Sequence, residues 1–309
     1  MRGRVEKQKE RKKKLLVTGA SGFLGWNLCR TAQQEWDVWG TWCTHPVIAP
    51  GATFVQVDLT DFRRLKRIMG DIGPDAVIHT AANSRPDYCE QHRAETQRIN
   101  VDAAVILAKL CADRSIPFAF TSTDLVFDGL RPPYGEHAPV SPVNVYGEQK
   151  ARAEEHVLKA YPEAAVCRMP LMFGDPGPAA SSFFMSMVAA LREGRELKLF
   201  VDEFRTPVSG RTAAEGLLLA LVKTQGLLHL GGAERISRFC FGLLLMDALG
   251  IREARMMQCR QADVATAARR APDVSLDSAR AFALGFRPGT LRDQLRESVH
   301  VISRSPHAG

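Results

Sequence analysis

From Leu15 onward, short apolar runs rich in β-branched residues alternate with segments whose apolar positions recur at three-and-four spacing. The runs near 15 to 19, 37 to 42, 53 to 57, 75 to 80, 116 to 122 and 164 to 169 read as strands. The segments near 23 to 34, 61 to 70, 94 to 113 and 144 to 160 read as helices between them. Strands alternating with helices build βαβ units, so the expected fold class is α/β, a Rossmann-like doubly wound parallel sheet. After about Arg168 the pattern loosens. Asp175-Pro176-Gly177-Pro178 marks a loop, and helices near 180 to 193, 211 to 223, 236 to 249 and 290 to 300 are joined by short extended pieces. This predicts a smaller C-terminal lobe over the carboxyl edge of the sheet. The boundaries follow as a disordered tail over 1–13, the sheet domain over 14–170 with later segments returning to it, the lobe over 171–302 and a second disordered tail over 303–309.

Charge changes this picture little. The first fourteen residues hold eight Lys/Arg against two Glu, which is +6 of the formal +7, so the folded body is close to neutral. A solvated tail is the expected state of that run, and a nucleic-acid partner is not expected. The longest apolar runs, Gly216 to Val222 and Phe241 to Met246, fall far short of the roughly 20 residues a membrane span needs. No apolar stretch follows the basic start as it would in a secretory signal. Seven scattered cysteines without CxxC spacing point to reduced thiols in the cytoplasm. Eight histidines form no HxxxH or HExxH cluster, so no metal site is expected.

The chemistry begins at the first strand, LLVTG, which opens into Gly19-Ala20-Ser21-Gly22-Phe23-Leu24-Gly25 and then a helix. Glycines there let the backbone turn sharply and approach a pyrophosphate, while the helix start offers unpaired N–H groups and a positive dipole end. The second strand ends Thr41-Trp42-Cys43-Thr44-His45 without an acid, and Asp37 lies at its beginning. With nothing to repel a 2′-phosphate, NADP(H) is favoured over NAD(H). Asp58, ending the third strand, serves either an adenine amino group or the cap of the next helix. Thr121, Ser122 and Thr123 end the fifth strand at the carboxyl edge, and Tyr146 and Lys150 lie four apart on the following helix. That spacing shares one helix face, so the ammonium is expected to lower the phenol's pKa and make Tyr146 a proton donor.

These motifs together resemble the extended short-chain dehydrogenase/reductases of the dTDP-4-dehydrorhamnose reductase type. The likeness rests on TGASGFLG at 18 to 25, HTAA at 79 to 82, STDLVFDG at 122 to 129, NVYGEQKARAE at 144 to 154 and DEFRTPV at 202 to 208. It extends to the closing RRAPDVSLDSARAFALGFRP. It implies NADPH-dependent reduction of a keto group on a nucleotide-linked 4-keto-6-deoxy sugar. Thr123 would bond the substrate oxygen, Tyr146 would transfer the proton, and Lys150 would hold the nicotinamide ribose. Cofactor contacts are implied for Gly19, Ser21, Gly22, Phe23, Leu24, Gly25, Thr44, Asp58, Leu59, Thr80, Ala81, Ala82, Asn100, Tyr146, Lys150 and Met169. His79 falls in the same cofactor loop, and Arg168, Met169 and Pro170 match the strand end beside the nicotinamide. Asn100 matches an asparagine that helps order the active-site helix. Substrate contacts are implied for Asn83, Arg85, Thr123, Arg205 and Thr206.

Two alternatives accompany this reading: a sugar-nucleotide epimerase or dehydratase using NAD, and a non-catalytic NADP-binding regulatory subunit. The second arises because NSRPDYCE, at 83 to 90, is closer to RPD-containing members such as the beta subunit of methionine adenosyltransferase. The resemblance also implies a homodimer through the helices near 94 to 113 and 144 to 160, unless their apolar residues Ala104, Leu107, Ala108 and Cys111 cover the sheet instead.

Overall fold

The computed structural model describes residues 11–304. Six strands form where the apolar runs place them: β1 (Lys14–Thr18), β2 (Asp37–Trp42), β3 (Ala52–Gln56), β4 (Ala76–His79), β5 (Phe118–Thr123) and β6 (Ala165–Met169). A seventh, Gly226–His229, joins them in one sheet with every pairing parallel. Across the sheet the order is Gly226–His229, β6, β5, β4, β1, β2, β3. The chain winds outward from β1 to β3 and then returns to β4 on the other side of β1. A crevice therefore opens between the carboxyl ends of β1 and β4, where open α/β sheets bind ligands. β4 and β6 are buried at every position, as strands covered on both faces must be.

The helices that build the site are α1 (Phe23–Ala32), α2 (Phe62–Ile72), α3 (Pro86–Gln91), α4 (Arg93–Gln97), α5 (Ala103–Ala112) and α6 (Val145–Ala160). On one face of the sheet, Leu28 and Cys29 of α1 pack with Ala213 and Leu217 of the helix Gly210–Lys223 over Leu15 and Val17. On the other, Leu65 and Met69 of α2, Leu107 and Cys111 of α5 and Ala153 and Val157 of α6 cover Leu16, Phe118 and Phe120. In the C-terminal half, helices Phe183–Arg192, Arg238–Ala248 and Leu291–Arg304 enclose a separate apolar cluster around Phe173, Phe184, Phe241, Leu245 and Leu295.

Three differences from the expected elements are informative. The segment taken as one helix over 94 to 113 is α4, a π-helical stretch Arg98–Asp102 and α5 in succession. The wider turn falls at Asn100, whose buried side chain bonds neighbouring elements, and such insertions commonly sit at functional sites. α3 and the helix Ala279–Leu284 are six residues each, too short to show a period. The final helix runs to Arg304, so Ser303 and Arg304 are helical rather than part of a tail. The rest of that tail, and residues 1–10 of the basic one, lie outside the described residues.

Ala104, Leu107, Ala108 and Cys111 are all buried against the protomer's own sheet and so are unavailable for a dimer contact. Val105, Ile106 and Leu110 of α5 are half-buried, and the exposed positions of these helices include Arg98, Glu148, Arg152, Glu155 and Lys159.

Candidate active site

The turn after β1 is built for close backbone approach. Gly19 has φ of +72°, and a Cβ there would lie 2.6 Å from the Ala81 Cα. A Cβ on Gly25 would strike the Gly19 carbonyl oxygen. The N-terminus of α1 has no capping side chain and no acid in its first turn, which leaves its N–H groups and dipole available to an anion. Thr80 on the β4 side fastens this edge by donating its hydroxyl to the Thr18 carbonyl at 2.7 Å. Ser21 and Phe23 are partly exposed beside the loop, whereas Leu24 is buried in the core beneath it.

At the end of β2, Thr44 is exposed and its hydroxyl pairs with His45 Nδ1 at 2.9 Å. Asp37 does lie at the opposite end, where its carboxylate accepts from Trp39 Nε1 at 3.4 Å. Asp58 is not the cap of the next helix; that role falls to Asp61, which accepts from the Arg64 N–H. Asp58 instead accepts from both the N–H and hydroxyl of Thr60, each at 2.8 Å, while Leu59 is buried.

The carboxyl end of β5 and the start of α6 meet closely. Asn144 caps α6 by accepting from the Gly147 N–H at 2.9 Å, and any side chain on Gly147 would collide with the Leu125 carbonyl. This contact sets Tyr146 beside Thr123. Burial pushes the Tyr146 phenol well above its ordinary pKa, with Cys89 and Asp124 adding to the effect and the Thr123 side chain opposing it. The expected lowering by Lys150 is therefore absent: the phenol is held protonated. Lys150 is fully buried, with Nζ 4.1 Å from the centroid of the Phe120 ring, and desolvation draws its pKa down to about 7 against the opposing pull of Glu154. Asn100 bonds the helix rather than lining the crevice, donating to Gln149 Oε1 at 2.8 Å and to the Asn83 carbonyl at 3.1 Å.

Above Tyr146 lies a cavity of about 790 Å³. Thr123, Tyr146, Arg85 and Arg205 line it as the sequence led us to expect. Asn83 and Thr206 do not. The backbone of Asn83 is locked to Asn100, and the Thr206 hydroxyl accepts from the Leu276 N–H at 3.3 Å. Met169 is buried in the core, and Arg168 turns away from the crevice into an ion pair with Glu154, leaving Pro170 as the member of that trio on the cavity wall. Sequence reasoning missed Arg238, Arg269 and Arg270, which converge on the cavity from segments far apart in the chain. The buried Glu203 carboxylate gathers three guanidiniums, from Arg205, Arg238 and Arg270, at 3.5 to 3.7 Å. Five arginines against three carboxylates on the wall give a positive excess suited to a diphosphate.

Asp124 faces this cavity with Oδ1 accepting from the Thr123 hydroxyl at 3.2 Å, while buried Oδ2 has no hydrogen-bond partner. Burial raises its pKa to about 6, partly offset by Arg205. Below about pH 3 the group is protonated both folded and unfolded; above about pH 6 folding must bury a carboxylate that the unfolded chain leaves in water. Asp124→Asn should therefore raise stability at pH 8 by about 2 to 3 kcal/mol and leave it nearly unchanged at about pH 3, as read by urea unfolding at the two pH values.

Residues 13–304 match the RmlD substrate binding domain family, and the chain belongs to that family. Among its relatives, methionine adenosyltransferase 2 subunit beta of Bos taurus is 30% identical over 93% of this chain and 87% of its own. The probable low-salt glycan biosynthesis reductase Agl14 of Haloferax volcanii is 30% identical over 76% of this chain and 79% of its own. The fold matches that of dTDP-4-dehydrorhamnose reductase from Bacillus anthracis, solved in complex with NADP, with a TM-score of 0.83 and 21% identity over 94% of this chain and 99% of that one.

Proposed function

We propose that the protein is an NADPH-dependent reductase acting on the keto group of a nucleotide-linked 4-keto-6-deoxy sugar. The observation that carries this reading is the placement of Thr123 and a protonated Tyr146 on the floor of a cavity whose walls bear an excess of arginine. Membership of the RmlD family and the likeness to a glycan biosynthesis reductase support it.

The residues present fit a dinucleotide. The glycine turn leaves no room for side chains where a pyrophosphate would approach, and the Ser122 hydroxyl is buried without a partner at the carboxyl edge. Gly19, Ser21 and Gly22 would hold the pyrophosphate, Thr44 and Asp58 the adenosine half, and Lys150 the nicotinamide ribose. Bound there, the reduced nicotinamide supplies hydride to the carbonyl carbon. Thr123 would turn its hydroxyl from Asp124 to the carbonyl oxygen, and Tyr146 would deliver its phenolic proton to that oxygen as it gains charge. The buried phenol carries its proton at neutral pH, as a donor must, although its raised pKa makes it a weaker acid than a free tyrosine. Arg205, Arg238 and Arg270, fixed by Glu203, would clamp the diphosphate. The seven free thiols support a cytoplasmic setting.

The likeness to methionine adenosyltransferase 2 subunit beta favours a second reading, a nicotinamide-nucleotide-binding subunit that regulates a partner without turnover. Loss of NADPH absorbance with dTDP-, GDP- and UDP-linked 4-keto-6-deoxy sugars tests the choice. Consumption by at least one sugar is the expected result; none, with NADPH bound, selects the second reading.

Two predictions concern the cofactor. Trp26 of α1 and Trp42, the last residue of β2, share one apolar cluster, so NADPH should quench the intrinsic emission and do so at lower concentration than NADH. Equal or reversed affinities would overturn the NADPH preference. Gly25→Val should abolish that quenching, since its side chain would occupy the space of the Gly19 carbonyl.

A further inference from the structure

Asn144 makes a second contact that capping α6 does not require. Its Oδ1 accepts from the Gly147 N–H at 2.9 Å, and its Nδ2 donates to the Arg269 carbonyl at 3.1 Å. These partners fix the orientation of the amide, since an N–H needs its oxygen and a carbonyl needs its nitrogen. Arg269 belongs to a run, residues 264–271, that is tied to the C-terminal half at both ends. Before it, the strand Met256–Cys259 pairs with Leu197–Phe200, and the Gln261 N–H donates to Asp202 Oδ1 at 3.0 Å. After it, the Phe204 N–H donates to the Pro272 carbonyl at 2.7 Å. In between, the run bonds the sheet domain at two points. One is the Asn144 contact; at the other, the Ala268 N–H donates to Asp87 Oδ1 of α3 at 2.8 Å. Ala268 is buried between exposed neighbours, and Ala268, Arg269 and Arg270 all line the cavity above Tyr146. The run is thus anchored on one side of the cavity and latched on the other.

We infer that residues 264–271 form a strap over the sugar-nucleotide cavity, and that Asn144 is a positioning residue that latches the strap, with Arg269 and Arg270, to the helix carrying Tyr146. The latch consists of contacts within the chain, whereas the occupant of the cavity rests on the proposed function. Arg270 carries the strap's part in binding, because its guanidinium lies 3.5 Å from the Glu203 carboxylate that gathers the diphosphate clamp. Two hydrogen bonds on a mainly exposed stretch make a latch that opens readily, since water competes for the same groups. A diphosphate that engages Arg270 adds contacts available only in the closed strap and shifts the equilibrium toward closure.

The strap carries its own reporter: trypsin cuts after Arg269 and Arg270, and cutting requires the chain there to open. The experiment is limited tryptic digestion of the full chain, with the cut sites identified by mass spectrometry. Asn144→Asp keeps an oxygen for the Gly147 N–H but turns a second oxygen, in place of an N–H, toward the Arg269 carbonyl. Cutting after Arg269 and Arg270 should be about tenfold faster in this variant, with NADPH quenching unchanged. In the unaltered chain, at least one of dTDP, UDP and GDP at saturation should slow the same cuts. Equal acceleration after Arg152, inside α6, or a matching loss of NADPH quenching would show a frayed helix and a merely structural role, and would overturn the inference. The Glu90 carboxylate accepts from the adjacent Val145 N–H at 2.9 Å, so Asn144→Ser supplies a second variant that caps without adding charge there. Its hydroxyl is too short to hold Arg269 as well, and it should give the same pattern of cuts. Cutting that the variants accelerate but no nucleoside diphosphate slows would remove the nucleotide reading of the cavity, and the substrate strap with it. Unchanged cutting in both variants of a chain that a nucleoside diphosphate protects removes the inference alone.

Discussion

Tyr146→Phe is expected to lower turnover roughly 10²- to 10⁴-fold while NADPH still quenches the protein's fluorescence. The substitution removes one oxygen from a buried side chain and leaves its ring packed against Cys89 and Val145, so the fold should persist. The lost atom is the proposed proton donor; Tyr88, the other phenol on the cavity wall, donates its hydroxyl to Glu95 instead. Thr123 can bond the carbonyl oxygen but cannot supply a proton readily at neutral pH. Asp124 is largely ionised at pH 8, with its pKa near 6. Its partial protonation nearer pH 6 gives a second check: residual activity of the variant should increase as pH falls toward that value. Steady-state kinetics at pH 6 and pH 8 would read both effects. Unchanged turnover at pH 8 would remove Tyr146 from the chemistry.

Glu154→Ala is expected to cost about 3 to 5 kcal/mol of stability, the largest loss anticipated for a side chain outside the cavity. Truncation leaves the Arg168 guanidinium buried with two of its three nitrogens deprived of their carboxylate partners. The Glu136 carbonyl and His229 retain the third but cannot neutralise it. Chemical denaturation should show the full loss, whereas Glu154→Gln/Arg168→Gln, which replaces both charges by a neutral pair, should recover most of it. A loss below about 1 kcal/mol would mean that water or a neighbour compensates the charge.

The sheet was legible in the sequence because its strands are short, mainly apolar runs separated by helices with a clear period. β4, AVIH, is buried at all four positions, and the glycine turn after β1 needs no distant residue to define it. Tyr146 and Lys150 could be paired because helix geometry fixes neighbours four apart. Legibility failed where function depends on segments remote in the chain. Arg238 and Arg270 reach the cavity only after the C-terminal half has folded over the sheet, and no local pattern distinguishes them from surface arginines. Arg168 was misplaced for the opposite reason. Strand alternation sends its side chain toward α6, where Glu154 holds it, although Pro170, two residues on, lines the cavity. The environment of Tyr146 was also misjudged from spacing alone. Helix neighbours indicate which charges are near, but burial decides which influence prevails.

The most direct measurement is deuterium transfer from NADPH deuterated at the nicotinamide C4 to a nucleotide-linked 4-keto-6-deoxy sugar, followed by mass spectrometry of the sugar product. A stoichiometric gain of one deuterium at the former carbonyl carbon, lost in Tyr146→Phe, is the predicted result. A sugar recovered unreduced, or altered in configuration without deuterium, would contradict the assignment of this site as a reductase.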